Sequence, residues 1–146
     1  MHHFKYYKDK QLAWALGYLL FPILDKILLS DIDMIIPVPL HNNKYRERGF
    51  NQSSELLNYY RAVNNSIVVN NLIVSRHKDT TSQVTMSRLE RELNLSDAFT
   101  VNKSVHGAKV LIVDDVVTTG ATVNSLAKVL KHNGAIKVEV CCLMRA

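Results

Sequence analysis

The segment from Val110 to Thr122 constrains the fold of this chain more than any other part of the sequence. It begins with four aliphatic residues, continues with two adjacent acids and ends in a short loop of threonine, glycine and alanine. A helical pattern from Thr122 to Asn133 and a second apolar run from Lys137 to Leu143 follow. This order predicts a βαβ unit over residues 109–143, and therefore an α/β fold with a mostly parallel central sheet flanked by helices.

The chemistry of this segment suits a sugar phosphate. Ligands of open α/β sheets bind beyond the carboxyl ends of the strands, where we expect Asp114 and Asp115. These acids repel a phosphate group, but they accept hydrogen bonds from the vicinal hydroxyls of an attached sugar. A loop of small residues that leads into a helix offers N–H donors and a favourable dipole to the phosphate. The residues predicted to bind the phosphate are Thr118, Thr119, Gly120, Ala121 and Thr122.

Two other interpretations of this segment are weaker. A Thr–Gly loop between a strand and a helix also occurs as plain turn chemistry, with Asp114 as a helix cap. This interpretation as a simple turn is disfavoured, because the aliphatic run, the acidic pair and the loop follow one another in the order that a ligand site requires. A Walker-type nucleotide site needs a lysine in its loop, and no lysine lies between Thr118 and Thr122.

The first half of the chain has a less regular pattern. Apolar spacing predicts a helix from Lys10 to Leu29, kinked or split at Pro22. Met34–Val38 has the composition of a buried parallel strand, and a polar, basic loop is expected from His41 to Gly49. The remaining candidates are a helix from Asn51 or Gln52, and brief strands at Ile67–Val69 and Leu72–Val74 separated by an Asn–Asn turn.

The composition predicts a single domain over residues 1–146. The chain is 47% hydrophobic, and its net charge of +5 suits a polyanionic partner, although many domains are mildly basic without one. Cys141 and Cys142 are adjacent in an apolar run, which favours reduced thiols and a cytoplasmic location over zinc or a disulfide. The apolar stretch Leu12–Leu24 is too short to span a bilayer, so no membrane insertion is expected.

The segment Val110–Thr122 resembles the phosphoribosyl pyrophosphate (PRPP) signature of type I phosphoribosyltransferases. The resemblance implies that Asp114 and Asp115 bind the ribose hydroxyls of PRPP and that the loop binds its 5′-phosphate. It also implies that Mg²⁺ arrives with the pyrophosphate, without direct protein ligands. Further blocks are similar to the ComF branch, the competence-associated phosphoribosyltransferase-like proteins. These blocks are Lys5-Tyr6, Pro37–His41 with Arg46–Gln52, the set Arg76, Thr80, Gln83, Arg91, Asn94 and Phe99, and the ending Cys142–Ala146.

The basic stretch after the first strand is interpreted as a pyrophosphate loop. Arginine suits forked contacts with phosphate oxygens, and a glycine permits close approach of the backbone. A solvated basic loop is the alternative, which the PRPP signature downstream disfavours. The residues assigned to this loop are Lys44, Arg46, Arg48 and Gly49.

Residues 76–94 are expected to form a flexible loop that closes over bound PRPP and excludes water. An exposed charged helix from Arg88 to Leu95 is the alternative. Residues 1–30 are expected to be helical and, together with the 76–94 region, to supply a minimal hood. Longer ComF proteins carry a four-cysteine zinc ribbon that this sequence does not show, so it is interpreted as a short form. The side chains expected to reach the pyrophosphate or a second substrate are Arg76, Gln83, Arg88 and Arg91.

Three functions stay open at this point, and no catalytic residue is assigned. The first is phosphoribosyl transfer, in which a nucleophile displaces pyrophosphate at the anomeric carbon of the ribose. The second is a non-catalytic module for PRPP and single-stranded DNA, with the DNA-uptake machinery as a partner in natural transformation. A repressor-like regulator ranks last, because no helix-turn-helix extension is visible. A homodimer is expected only by analogy with the fold. Aromatic candidates for base stacking are Tyr6, Tyr7, Trp14, Tyr45, Phe50, Tyr59 and Tyr60.

Overall fold

The computed structural model describes residues 10–28, 31–63, 68–78 and 98–146. Four strands form a parallel sheet, in the spatial order Val68–Val69, Met34–Pro37, Lys109–Val117 and Lys137–Arg145. The strands Val74–Arg76 and Phe99–Val101 pair in a separate antiparallel ribbon. The predicted α/β fold with a parallel central sheet is confirmed. The elements are α1 (Lys10–Leu28), β1 (Met34–Pro37), α2 (Asn42–Arg48), α3 (Gln52–Val63), β2 (Val68–Val69), β3 (Val74–Arg76), β4 (Phe99–Val101), β5 (Lys109–Val117), α4 (Ala121–His132) and β6 (Lys137–Arg145).

The two central strands, β1 and β5, are apolar because both faces of the sheet are covered. Residues 110–113 of β5 are each 0% exposed. Side chains of successive strand residues point to opposite faces, so Val110 and Ile112 pack on the side of α4. Leu111 and Val113 pack on the other side, in the cluster that includes Leu20 and Leu24 of α1. Burial of each such aliphatic side chain contributes about 1.5–3 kcal/mol to folding.

Helix α1 belongs to the main core and lies against α3. A Cβ atom added at Gly17 would sit 2.5 Å from the carbonyl oxygen of Leu56, so the missing side chain allows the two helices to approach closely. The helix is continuous through Pro22, and Leu29, the last residue of the predicted helix, lies outside the described residues. Pro22 is exposed, while Leu20 and Leu24 on either side of it are buried and hold the helix to the sheet.

The predicted basic loop from His41 to Gly49 is wrong, because residues 42–48 form the short helix α2. His41 caps its start, where the ring Nδ1 accepts the backbone N–H of Asn43 at 3.2 Å. Gly49 ends it in the left-handed region at φ 80°, and its N–H donates to the carbonyl of Tyr45 at 2.7 Å. Gly49 therefore serves the helix end, where a left-handed residue is required.

The strand candidates around Asn70 are present but shifted, and they do not pair with each other. β2 joins the parallel sheet beside β1, whereas β3 starts at Val74, not Leu72, and pairs with β4. Between them Asn70 Oδ1 accepts the backbone N–H of Leu72 at 2.8 Å, which makes the predicted Asn–Asn turn a local side-chain turn.

Candidate functional site

The carboxyl ends of β1 and β5 lie side by side where the order of the strands reverses. Pro37 is in register with Val113, and the N–H of Val38 donates to the carbonyl of Val113 at 2.9 Å. From β1 the chain continues to β2 on one side, and from β5 it continues to β6 on the other. Such a switch point leaves a crevice beyond the strand ends, which is the usual ligand site of open α/β sheets.

A pocket opens at this point between the end of β5 and the start of α4. Its lining residues are Asp114, Val116, Val117, Thr118, Thr119, Gly120, Ala121, Thr122 and Val123. The structure thus places the whole predicted phosphate segment, together with Asp114, around one pocket.

The boundaries inside this segment differ from the prediction. Strand β5 does not end before the acids, because its pairing with β6 continues to Val117 opposite Arg145. Only residues 118–120 form the loop, and α4 starts at Ala121, so Ala121 and Thr122 belong to the first helical turn. The backbone N–H groups of a first helical turn have no partner within the helix, and they are available to an anion.

Gly120 is the residue at which the loop turns into α4. It has φ 77°, in the left-handed region, and the N–H of Ala121 at the helix start donates to Thr119 Oγ1 at 3.4 Å. A Cβ atom added here would meet only the Nδ2 atom of Asn124, at 3.5 Å, an ordinary contact. The backbone conformation, and not crowding, therefore requires glycine at this position.

Asp114 is buried and hydrogen-bonded. Its Oδ1 atom accepts the hydroxyl of Ser53 at 2.9 Å and the backbone N–H of Asp115 at 3.0 Å. Burial, together with the adjacent charge of Asp115, raises the pKa of Asp114 to about 6, although the Ser53 hydroxyl acts in the opposite direction. Asp114 is thus a carboxyl group whose charge changes close to neutral pH.

Asp115 is as buried as Asp114, at 9% exposure, but only one of its two carboxylate oxygens accepts a hydrogen bond within the described residues. Its Oδ1 atom accepts the backbone N–H of Val116 at 2.9 Å, whereas its Oδ2 atom is buried and has no hydrogen-bond partner in the described part of the chain. A buried carboxylate oxygen without a donor is unfavourable by about 1–3 kcal/mol or more. A hydroxyl donor from a ligand would satisfy this oxygen, although Asp115 is not among the residues that line the pocket.

The basic residues predicted to bind pyrophosphate follow directly after β1. Arg46 is exposed, and Lys44 and Arg48 are half-buried, all on α2. Four residues separate the end of β1 from the start of α2, so α2 follows the carboxyl end of β1, although none of these three side chains is among the residues that line the pocket.

The third predicted block is only partly described. Arg76 lies in β3 and not in a loop, because its backbone pairs with that of Phe99, and its guanidinium lies 5.6 Å from the centre of the Phe99 ring. The backbone of Arg76 also forms an isolated parallel bridge with His41, at the start of α2. Gln83, Arg88 and Arg91 lie outside the described residues.

Sequence reasoning missed Ser53, the residue that holds Asp114. Asn51 caps α3: its Oδ1 atom accepts the N–H of Ser53 at 3.1 Å, and its Nδ2 atom donates to the carbonyl of Val38 at 2.9 Å. An asparagine two residues before a serine is a recognisable helix start. That local signal does not reveal the partner of the serine hydroxyl, 61 residues further along the chain.

Other chemistry is limited in the part of the chain that the structure describes. No group of three His, Cys, Asp or Glu residues there is arranged to hold a metal ion. Both cysteines are free thiols, and burial raises the pKa of Cys141 to about 11. Among the described helices, none has the length and apolarity needed to cross a membrane.

Comparison with known proteins agrees with this geometry. The family model described as phosphoribosyl transferase domain matches residues 54–146. DNA utilization protein YhgH of Salmonella typhi is 36% identical, over 99% of this chain and 65% of the relative. Competence protein F of Haemophilus influenzae is 38% identical, over 78% of this chain and 51% of the relative. The chain thus spans less than two thirds of the length of these relatives.

Solved structures agree on the fold. A hypoxanthine phosphoribosyltransferase from Staphylococcus aureus superposes with a TM-score of 0.54 at 14% identity, covering 94% of this chain and 65% of that one. Such a low identity speaks for the fold alone. Taken with the family match and the two named relatives, it means that this chain belongs to the phosphoribosyl transferase domain family, among its ComF-type members, and has the type I phosphoribosyltransferase fold.

Proposed function

We propose that this protein binds PRPP in the pocket between β5 and α4 and transfers its phosphoribosyl group to an acceptor, with release of pyrophosphate. The observation that carries the proposal is the pair of buried acids, Asp114 and Asp115, directly beside a loop and helix start rich in N–H donors. A sugar phosphate matches both halves of this arrangement. Hydroxyl groups satisfy the acids, and the phosphate satisfies the N–H groups.

In this proposal the acids orient the ribose. A ribose hydroxyl donates to the unsatisfied Oδ2 atom of Asp115, and a second hydroxyl donates to Asp114. Two fixed contacts to vicinal hydroxyls define the orientation of the sugar ring, and orientation is a large part of the catalysis of such a transfer. The residues proposed to hold the 5′-phosphate are Thr118, Thr119, Gly120, Ala121 and Thr122.

The leaving pyrophosphate is proposed to lie toward α2. Lys44, Arg46 and Arg48 supply positive charge there, which stabilises the negative charge that develops as the anomeric bond breaks. Mg²⁺ bound to PRPP would neutralise part of the pyrophosphate charge. In this proposal the ion comes with the substrate and takes no direct ligands from the protein. The residues Arg76, Gln83, Arg88 and Arg91 are proposed to approach the same group.

Calorimetric titration tests the proposal. PRPP with Mg²⁺ is titrated into the wild type and into an Asp114→Asn/Asp115→Asn variant, with Asp33→Asn as the control. Asp33 is an exposed acid beside the amino end of β5, where it accepts the N–H of Lys109 at 2.8 Å. We expect binding by the wild type and by Asp33→Asn, and a loss of at least about tenfold in the double variant. Equal binding by all three proteins would contradict the site.

Binding by itself does not distinguish transfer from ligand sensing. An assay of pyrophosphate release from PRPP, with ammonia and nucleobases as acceptors, separates the two. Release that is lost in the double variant but retained in Asp33→Asn supports phosphoribosyl transfer. Tight PRPP binding with no release across the acceptors would favour the non-catalytic module.

A second candidate function is a PRPP- and single-stranded-DNA-binding module acting in DNA uptake, and exposed aromatic residues favour it. Trp14 and Tyr18 of α1 are 47% and 61% exposed, and both pack edge-on against Tyr59. Tyr45 is 51% exposed between Lys44 and Arg46. Such aromatic groups can stack on bases.

Two of the aromatic candidates are excluded from stacking. Phe50 and Tyr60 are 4% and 0% exposed and belong to the core. Tyr6 and Tyr7 lie outside the described residues. Fluorescence anisotropy with labelled oligothymidine tests the module: affinity should fall steeply with salt, and Trp14→Ala/Tyr18→Ala should weaken it. Binding that is weak and insensitive to salt would exclude this function.

A further inference from the structure

The hydroxyl of Ser53 bonds to Asp114, one of the residues that line the pocket. Ser53 is 4% exposed, in the first turn of α3, and its Oγ atom donates to Asp114 Oδ1 at 2.9 Å. Its backbone N–H donates to Asn51 Oδ1 at 3.1 Å, and Asn51 Nδ2 in turn donates to the carbonyl of Val38 at 2.9 Å. The hydroxyl is therefore tied by consecutive hydrogen bonds to the residue that follows β1.

We propose that Ser53 is a positioning residue for Asp114, which fixes the orientation of the carboxylate and keeps it ready to accept a ribose hydroxyl. Within the described residues, the Oδ1 atom of Asp114 receives the Ser53 hydroxyl and the Asp115 N–H. With Oδ1 occupied by these two donors, Oδ2 is the atom offered to a ligand. The inference rests on the proposed function, since it assigns Asp114 to the ribose.

Ser53 also favours the charged form of Asp114. Donation of a hydrogen bond to a carboxylate lowers its pKa, and the Ser53 hydroxyl acts in that direction against burial and against the charge of Asp115. Among the described residues, Cys142 of β6 is the register partner of Asp114, and Thr122 of α4 lines the same pocket. Asp115 is the charged group beside it, so removal of the Ser53 hydroxyl leaves the repulsion less compensated.

A protonated carboxyl group accepts a hydroxyl more weakly than a carboxylate does, so protonation of Asp114 should weaken its contact with the ribose. Without Ser53, Asp114 should stay protonated to a higher pH. The affinity for PRPP should therefore decline earlier as the pH falls. A residue that merely supports the fold would lower affinity without moving this pH profile.

The control for Ser53 is its neighbour Ser54. It lies in the same turn of α3, is 8% exposed, and accepts a hydrogen bond from Asn71 Nδ2 at 2.8 Å. Ser54→Ala removes a similarly buried hydroxyl whose partner among the described residues is Asn71 and not Asp114. Ser53→Thr retains the hydroxyl and should restore the wild-type behaviour.

The experiment is a carboxyl NMR titration of the ligand-free protein, with the Asp114 resonance assigned from Asp114→Asn. Ser53→Ala should raise the pKa of Asp114, whereas Ser54→Ala and Ser53→Thr should leave it unchanged. Ser53→Cys, whose thiol is a weak donor of similar size, should raise it as well and serves if Ser53→Ala does not fold. An unchanged pKa in Ser53→Ala, or an equal rise in Ser54→Ala, would overturn the proposal.

PRPP titrations of the same variants extend the test. In Ser53→Ala, the loss of affinity between about pH 8 and pH 6 should exceed that of the wild type by roughly three- to tenfold. A parallel loss at all pH values would contradict a positioning role. Failure of the wild type to bind PRPP would remove the proposed function, but the ligand-free titration would still decide whether Ser53 positions Asp114.

Discussion

The backbones of His41 and Arg76 pair in an isolated parallel bridge that joins the start of α2 to the end of β3. The N–H of His77, the next residue, donates to the carbonyl of Ala98 at 3.0 Å. The residue that follows β3 and the residue that precedes β4 therefore lie side by side. Arg76 thereby lies at the same edge of the molecule as the basic helix α2. Gly49 and Arg76 are 27 positions apart in the sequence, yet this bridge brings the two basic blocks that contain them together in the fold.

Asp114→Asn should stabilise the protein above neutral pH. A carboxyl whose pKa is raised from 3.8 to about 6 binds its proton more tightly in the folded state, so its contribution to stability is best at low pH. That contribution falls as the pH rises from 3.8 to about 6 and stays unfavourable above it. Asparagine retains the acceptor for Ser53 without the charge, and the free energy of unfolding at about pH 7.5 should increase by about 1–3 kcal/mol.

Urea denaturation between about pH 4 and pH 8 measures this effect. The wild type should lose stability relative to Asp114→Asn across the interval from 3.8 to about 6. Asp33→Asn, which neutralises an exposed acid, is the matched control. A variant that is less stable than the wild type at high pH would show that the charge of Asp114 is compensated in the folded protein.

Gly120→Ala should separate backbone strain from ligand binding. The added Cβ has room, so the substitution should cost only the left-handed conformation at φ 77°, about 1–2 kcal/mol of stability. Gly107→Ala is the control, because Gly107 has φ 73° and an added Cβ there meets nothing within 4 Å. Both variants should unfold at similar urea concentrations, but only Gly120→Ala should weaken PRPP binding. Equal PRPP affinity in the two variants would argue against the loop as the phosphate site.

Tyr60→Phe should stabilise the protein. Tyr60 is 0% exposed, its hydroxyl is buried without a hydrogen-bond partner among the described residues, and burial raises its pKa. Removal of an unsatisfied buried hydroxyl should increase the free energy of unfolding by about 1 kcal/mol. Tyr59→Phe, at a half-buried ring in the same helix, should change it by less than about 0.5 kcal/mol in a parallel thermal denaturation. Destabilisation by Tyr60→Phe would reveal a partner for the hydroxyl, such as an ordered water.

Arg46→Ala should weaken the binding of PRPP more than that of ribose 5-phosphate. If α2 contacts the pyrophosphate, loss of one charge-assisted hydrogen bond lowers PRPP affinity by about tenfold or more, while a ligand without pyrophosphate is unaffected. Lys128→Ala removes the same charge from the exposed side of α4 and should leave both ligands unchanged. Competition titrations at one ionic strength measure the difference. An equal loss for both ligands would place the role of Arg46 at the 5′-phosphate or in general charge attraction.

The sequence predicted those elements whose residue pattern lies within a single short segment of the chain. The βαβ unit, the order of its parts and the clustering of residues 118–122 around one pocket follow from periodicity, glycine and the paired acids, all within one short segment. Boundaries were less certain for a physical reason. β5 runs on through Asp114 and Asp115 because β6 supplies backbone partners as far as Arg145, and no pattern within the segment reports those partners.

The tertiary structure decided what depends on contacts between distant residues. Arg76 became part of a strand because Phe99, which is distant in the sequence, pairs with it. The helix α2, in contrast, has local caps at His41 and Gly49 that the sequence analysis did not use. The charge of Asp114 depends on burial, on Asp115 and on the hydroxyl of Ser53, which is 61 residues away in the sequence. Composition and spacing identify which side chains carry the chemistry. Their ionisation and orientation are set by neighbours that only the folded chain brings together.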